Sequence, residues 1–173
     1  MRDYPIFLDL TERNCLVVGA GSVGTRKLAT LLESKVKQVL VIDPHEPCLA
    51  AKRMLEHPCC QFLKREFKDQ DLADCFLVFA CTNDKDLNIR INQLCRKKNI
   101  LCNIVDQPEQ GDFILPALYT QGDLVLAIST GGYSPALSRK IRQQLEHCFG
   151  PEYKILTKLL GRVRPLILEM STD

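Results

Sequence analysis

Gly19, Gly21 and Gly24 stand at G-x-G-x-x-G spacing directly behind the apolar run Cys15-Leu16-Val17-Val18, and Asp43 follows 24 residues after Gly19. Residues of these types bring a backbone against a pyrophosphate. The first glycine allows a tight turn, the second close approach, and the third lets a following helix pack on the strand with its N-terminus toward the phosphate charge. An acid at the distance of Asp43 accepts hydrogen bonds from ribose hydroxyls and repels a 2′-phosphate, so the spacing favours NAD over NADP. Three further clusters can do polar chemistry: Ala80-Cys81-Thr82-Asn83-Asp84, Asn103-Ile104-Val105-Asp106 and Ser129-Thr130-Gly131-Gly132. Asp106 directly follows an apolar run, where a carboxylate can accept a proton or hold a cation. Asn103 and Asp106 can equally end a strand and cap a turn.

The elements that must position these residues alternate. Thr25 to Glu33 reads as a helix and Val39 to Ile42 as a buried strand ended by Asp43. A helix over 46–57, a short strand at 61–63, a buried strand at 75–80, a helix over 84–98 and a strand at 100–105 follow. Continuous apolar strands separated by helices imply a parallel sheet covered on both faces, a doubly wound, Rossmann-like α/β arrangement whose ligand lies outside the carboxyl ends of the strands. We expect this domain to cover residues 1–112. Beyond it the spacing predicts a hairpin, Phe113 to Leu118 and Leu124 to Ser129, with a turn around Tyr119 to Asp123. Ser134 can cap, and Pro135 can begin, a helix that runs to about Phe149. Residues 113–149 are expected to form a dimerisation region, because a lone hairpin face needs a second subunit to bury it. Residues 150–173 are expected to form a short helical segment in which Gly161 and Pro165 weaken or kink the helix.

Composition narrows the function. The chain has 173 residues, 46% of them hydrophobic, and a formal charge of +2, too near neutral to argue for nucleic acid. The N-terminus reads neither as a signal peptide nor as a membrane span, so a cytoplasmic location is expected. Nine cysteines without a C-x-x-C pair favour buried reduced thiols over a zinc site, and the three histidines show no metal-ligand spacing. No tyrosine is followed four residues later by lysine, which removes the short-chain dehydrogenase arrangement. Basic residues thicken from Arg139 through Arg164, either as a solvated helix face or as a recognition surface for a polycarboxylate.

Together these residues resemble the precorrin-2 dehydrogenase and sirohydrochlorin ferrochelatase family, which also forms the N-terminal part of siroheme synthases. The resemblance runs through Tyr4 to Leu10, Val17 to Lys27 and Ala80 to Asp84. It is most specific at Cys102-Asn103-Ile104-Val105-Asp106-Gln107-Pro108, Asp112 to Ala117 and Ala127 to Leu137. It implies oxidation of precorrin-2 to sirohydrochlorin with NAD as hydride acceptor, and, in bifunctional members, insertion of a metal such as Fe²⁺ or Co²⁺; with the hairpin, we expect a homodimer. The family aspartate falls on Asp106, for proton removal. Cofactor contacts fall on Ser22 and Val23 and on Asp43 and Pro44, beside Gly19, Gly21, Gly24, Thr82 and Asn103. Substrate contacts are expected at Thr130, Gly131, Gly132, Ser134 and Arg139. Thr130 stands where some members carry a phosphorylatable serine. Two rival readings are a dehydrogenase with a separate chelatase and a non-catalytic module that senses NAD or tetrapyrrole.

Overall fold

The five strands β1 (Asn14–Val18), β2 (Gln38–Ile42), β3 (Cys60–Leu63), β4 (Leu77–Ala80) and β5 (Leu101–Ile104) form one sheet in the order β3-β2-β1-β4-β5, and every pairing is parallel. The structure is a computed structural model that describes residues 3–105, 107 and 109–170. Parallel strands need crossovers, and the chain supplies helices α1 (Ser22–Glu33), α2 (Leu49–Leu55) and α3 (Lys85–Lys97). Because strand side chains alternate faces, β1 feeds two cores at once. Cys15 and Val17 pack with Leu28, Leu31, Val39 and Phe79, whereas Leu16 and Val18 pack with Val78, Ile91, Cys95 and Ile104. Burial on both faces explains why these strands read as unbroken apolar runs.

Two compact units divide the chain, Pro5–Ile114 and a second that joins the segment from Leu115 onward with the N-terminal residues up to Tyr4. The second contains an antiparallel pair, β6 (Ala117–Gln121) and β7 (Leu124–Ile128), with α4 (Pro135–Cys148) against β6 and α5 (Glu152–Met170) against β7. The hairpin's first strand starts later than the sequence suggests. Phe113 is taken by the first unit, where its ring meets Phe79 edge-on at 5.8 Å, and Pro116 has no N–H to give a ladder. The turn tightens to Gly122-Asp123, with Gly122 at φ +65°. α2 is shorter than expected because Cys48, not Glu46, is its N-cap. α5 runs through both Gly161 and Pro165 and contains no buried residue.

One ion pair fixes the crossover from β3 to β4. Asp71, its side chain almost wholly buried, accepts two hydrogen bonds from the Arg65 guanidinium, at 2.8 and 2.6 Å, and one from Lys68 N–H at 2.7 Å. The Arg65 hydrogen bonds hold its carboxyl below the ordinary 3.8. A lowered folded value gives stability that is full above the ordinary value and lost as the pH falls through the folded one. Asp71→Asn should therefore lower stability at neutral pH by about 2 kcal/mol. Urea midpoints measured across the acid range should show wild type and variant converging. A gap that persists in acid would contradict this assignment.

Candidate functional site

The strand order reverses direction between β1 and β4, which is where a doubly wound sheet opens a crevice beyond its strand ends. Register brings the ends level: Val18 pairs with Ile42 and with Ala80, and Ala80 pairs with Ile104. The chain leaves β1 through Gly19, whose N–H donates to Ile42 C=O at 2.8 Å, and leaves β4 through Cys81, whose N–H donates to Val18 C=O at 2.8 Å. Gly19 has φ +98°, and a Cβ there would lie 2.6 Å from the Cys81 carbonyl oxygen, so both conformation and space demand glycine. Gly24 is buried in the first turns of α1, where a Cβ would overlap the Gly19 carbonyl. Gly21 is different. It is the N-cap of α1, and nothing lies within 4 Å of where its Cβ would be. This open space faces the unpaired N–H groups of Ser22 and Val23 at a helix N-terminus, and it suits a phosphate approaching the backbone.

Asp43 follows β2, and its carboxylate reaches back to the glycine turn. One oxygen accepts from Ala20 N–H at 2.6 Å, the other from His45 N–H at 2.8 Å. The acid thus pins the turn to the end of β2, with Pro44 exposed beside it. Cys48 lies close by, its Sγ 3.8 Å from Thr25 Oγ1, and hydrogen bonds from the N–H of Ala51 and from Thr25 pull its thiol pKa down. Burial does the opposite to Cys15 and Cys75, pushing them up to about 12 and about 11. Those two thiols stay protonated and act as small apolar side chains. No disulfide joins any of the nine cysteines, and among the described residues no cluster of His, Cys, Asp and Glu could hold a metal ion.

Across the crevice, Thr82 is gripped by Asn88 of α3, through its N–H, its C=O and its hydroxyl. Asn103 is buried in β5 and donates to Phe113 C=O at 2.8 Å. The segment after β5 folds back along it: Asp112 N–H donates to Cys102 C=O at 2.8 Å, and the Asp112 carboxylate accepts from Cys102 N–H at 3.0 Å. Asn92 and Arg96 of α3 both donate to Gln110 C=O. Asp106, expected to remove the proton, lies outside the described residues.

The second unit holds the remaining candidates. Gly131 and Gly132 turn with φ +62° and +83°, Gly131 N–H donates to Ser129 Oγ, and Ser134 N–H donates to Thr130 Oγ1. Ser134 Oγ caps α4 by accepting from Leu137 N–H at 3.2 Å, with Pro135 at the first helical position. Arg139 is exposed on the first turns of α4. Sequence reasoning missed Asn88 and Asn92, and it named Asp112 only within a family motif, without its tie to Cys102. The signal was present for the asparagines, because Asn88, Ile91, Asn92 and Cys95 share one buried face of α3, and two amides inside an apolar stripe need partners.

Comparison with known proteins agrees with this geometry. A family model described as "Putative NAD(P)-binding" matches residues 6–117, and one described as "Sirohaem biosynthesis protein central" matches residues 121–147. The chain is 35% identical over 167 residues to a siroheme synthase of Enterobacter sp. (strain 638), covering 95% of this chain and 35% of that protein. It is 37% identical over 164 residues to a siroheme synthase of Thioalkalivibrio sulfidiphilus (strain HL-EbGR7), covering 93% and 32%. The chain thus spans about a third of the length of these curated relatives. A solved structure, "SirC, precorrin-2 dehydrogenase", superposes with a TM-score of 0.77 at 28% identity, over 95% of this chain and 80% of that one. Among the described residues no helix is long and apolar enough to cross a membrane.

Proposed function

This chain belongs to the NAD(P)-binding family of siroheme biosynthesis, and from that premise we propose that it oxidises precorrin-2 to sirohydrochlorin with NAD as the acceptor. The observation that carries the reading is the crevice between β1 and β4: a glycine turn with an open face at Gly21, a helix N-terminus behind it, and an acid at the end of the next strand. When bound, the nicotinamide supplies the hydride acceptor. The residues of the chain do the rest. Ser22 and Val23 N–H groups meet the pyrophosphate, Asp43 and Pro44 border the adenosine ribose, and Thr82 and Asn103 border the crevice. Asp106 takes the proton that leaves the macrocycle as the hydride departs, so two hydrogens are removed, one as hydride and one as proton.

The carboxylates of the tetrapyrrole call for cations and hydrogen-bond donors; Thr130, Gly131, Gly132 and Ser134 shape the turn that receives them at the start of α4, and the exposed Arg139 supplies the cation. We place two copies of the chain in the active form. Supporting this, Leu118, Val125 and Leu137 are exposed, as are Ile155, Leu159 and Leu160 on α5. Insertion of Fe²⁺ or Co²⁺ as a second substrate, and a cytoplasmic location, belong to the same proposal.

Cofactor preference gives a direct test. Kcat/KM for NAD should exceed that for NADP by at least about tenfold, because the Asp43 carboxylate repels a 2′-phosphate. Asp43→Asn keeps an acceptor for Ala20 N–H but loses the charge, and it should narrow that ratio without unfolding the protein. Equal use of both cofactors by the unaltered chain would contradict the assignment. Binding without any turnover would favour a sensing module.

A further inference from the structure

We infer that Asn88 is the positioning residue that sets the width of the cofactor crevice, and with it cofactor affinity, without touching the cofactor. The inference rests on reading the crevice between β1 and β4 as the dinucleotide site. The pairing of β4 with β1 ends at Cys81 N–H, which donates to Val18 C=O, so the next residue has left the sheet ladder. The N–H and C=O of Thr82 then need other partners. Asn88 provides both. Its Oδ1 accepts from Thr82 N–H at 3.2 Å and its Nδ2 donates to Thr82 C=O at 2.9 Å, as a neighbouring strand would. The same Oδ1 accepts from the Thr82 hydroxyl at 2.7 Å, and that hydroxyl accepts from Asp84 N–H at 3.2 Å. The amide orientation is fixed by this chemistry, since flipping it would face a donor to an N–H and an acceptor to a carbonyl.

Asn88 is itself immobile. It is 1% exposed, on the face of α3 that buries Ile91 and Cys95 in the sheet core. What it holds is the far wall of the crevice. The Cys81 carbonyl oxygen already stands so close to Gly19 that no Cβ fits between them, so the Cys81-Thr82 segment and the glycine turn are in contact and Thr82 cannot drift without disturbing that contact. Without Asn88, Thr82 would lose three hydrogen bonds, two of them from its backbone, and that backbone would seek water in the volume where the dinucleotide binds.

Titrating NAD into the full chain, with thermal unfolding alongside, tests this. Asn88→Leu removes all three hydrogen bonds while keeping the branching at Cγ, and Kd for NAD should rise about tenfold, the size expected for losing roughly one net hydrogen bond's free energy. KM for NAD should rise with it, while kcat at saturating NAD stays within about twofold. Asn88→Ser, milder and with room for a bridging water, should show a smaller rise and keeps the test open should the leucine variant fold poorly. Ile91→Val, on the same helix but in the core, should lower the unfolding temperature and leave Kd alone. An unchanged Kd in a folded Asn88 variant, or an equal change in Ile91→Val, overturns the positioning role. Absence of NAD binding by the unaltered chain overturns the site reading itself and this inference with it.

Discussion

An Asp106→Asn variant is expected to lose about 100-fold to 10,000-fold of its turnover of precorrin-2, the range that a positioned general base contributes. Its affinity for NAD should stay within about twofold of the unaltered chain. The split between the two quantities follows from the chemistry. Hydride departure from a partly reduced macrocycle leaves a proton that must go to a base, and the amide of asparagine has the shape of the carboxylate without its basicity. In the proposed site NAD is held by other residues, the turn from Gly19 to Gly24 and Asp43, which backbone hydrogen bonds tie together. Rapid-mixing absorbance of NADH under anaerobic conditions, with NAD titrated separately, reads both quantities. Turnover that survives in Asp106→Asn would remove the base from the proposed mechanism. Loss of NAD binding together with turnover would assign Asp106 to cofactor binding instead of proton removal.

The second large effect separates two glycines of one motif. Gly24→Ala should cost more than about 3 kcal/mol and yield little folded protein, since its Cβ would overlap the Gly19 carbonyl oxygen in a turn braced by Ile42 C=O and Cys81. Gly21→Ala should fold normally. Its φ of −68° suits alanine, and nothing lies within 4 Å of the added atom. Yet its NAD affinity should fall at least about tenfold, because the methyl occupies the approach to the helix N-terminus that the pyrophosphate needs. Circular dichroism and thermal unfolding report the first effect, and NAD titration of the folded Gly21→Ala protein reports the second. If Gly21→Ala binds NAD as well as the unaltered chain, the dinucleotide does not lie across this turn.

Much of the first unit was legible because its determinants are local. A strand buried on both faces reads as an apolar run, a glycine turn at fixed spacing reads as itself, and Asp43 sits where the second strand must end. The five strands and the three helices between them follow the order that the sequence implies, with helix α2 trimmed by Pro47 and Cys48. Legibility failed where a residue's partner is distant in sequence. Phe113 reads as strand by composition, but it serves the first unit by packing on Phe79, and the hairpin begins only at Ala117. Asp43 reads as a ribose ligand, yet in the structure both carboxylate oxygens accept backbone N–H groups, a tie between strand end and turn that spacing does not reveal. Asn88 and Asn92 read as helix filler, and only tertiary contact shows that their amides complete the hydrogen bonding of two loops. Gly161 and Pro165 read as positions that weaken or kink the last helix, and α5 runs from Glu152 to Met170 with both inside it.

The most direct test of the central claim is an anaerobic assay of the purified chain with enzymatically generated precorrin-2 and NAD, following NADH and the sirohydrochlorin spectrum together. The account predicts that both appear in equal amounts and only when protein and NAD are both present; a spectral change on then adding Fe²⁺ or Co²⁺, faster than in protein-free controls, would add metal insertion to the dehydrogenase. Bound NAD with neither NADH nor sirohydrochlorin formed would contradict it.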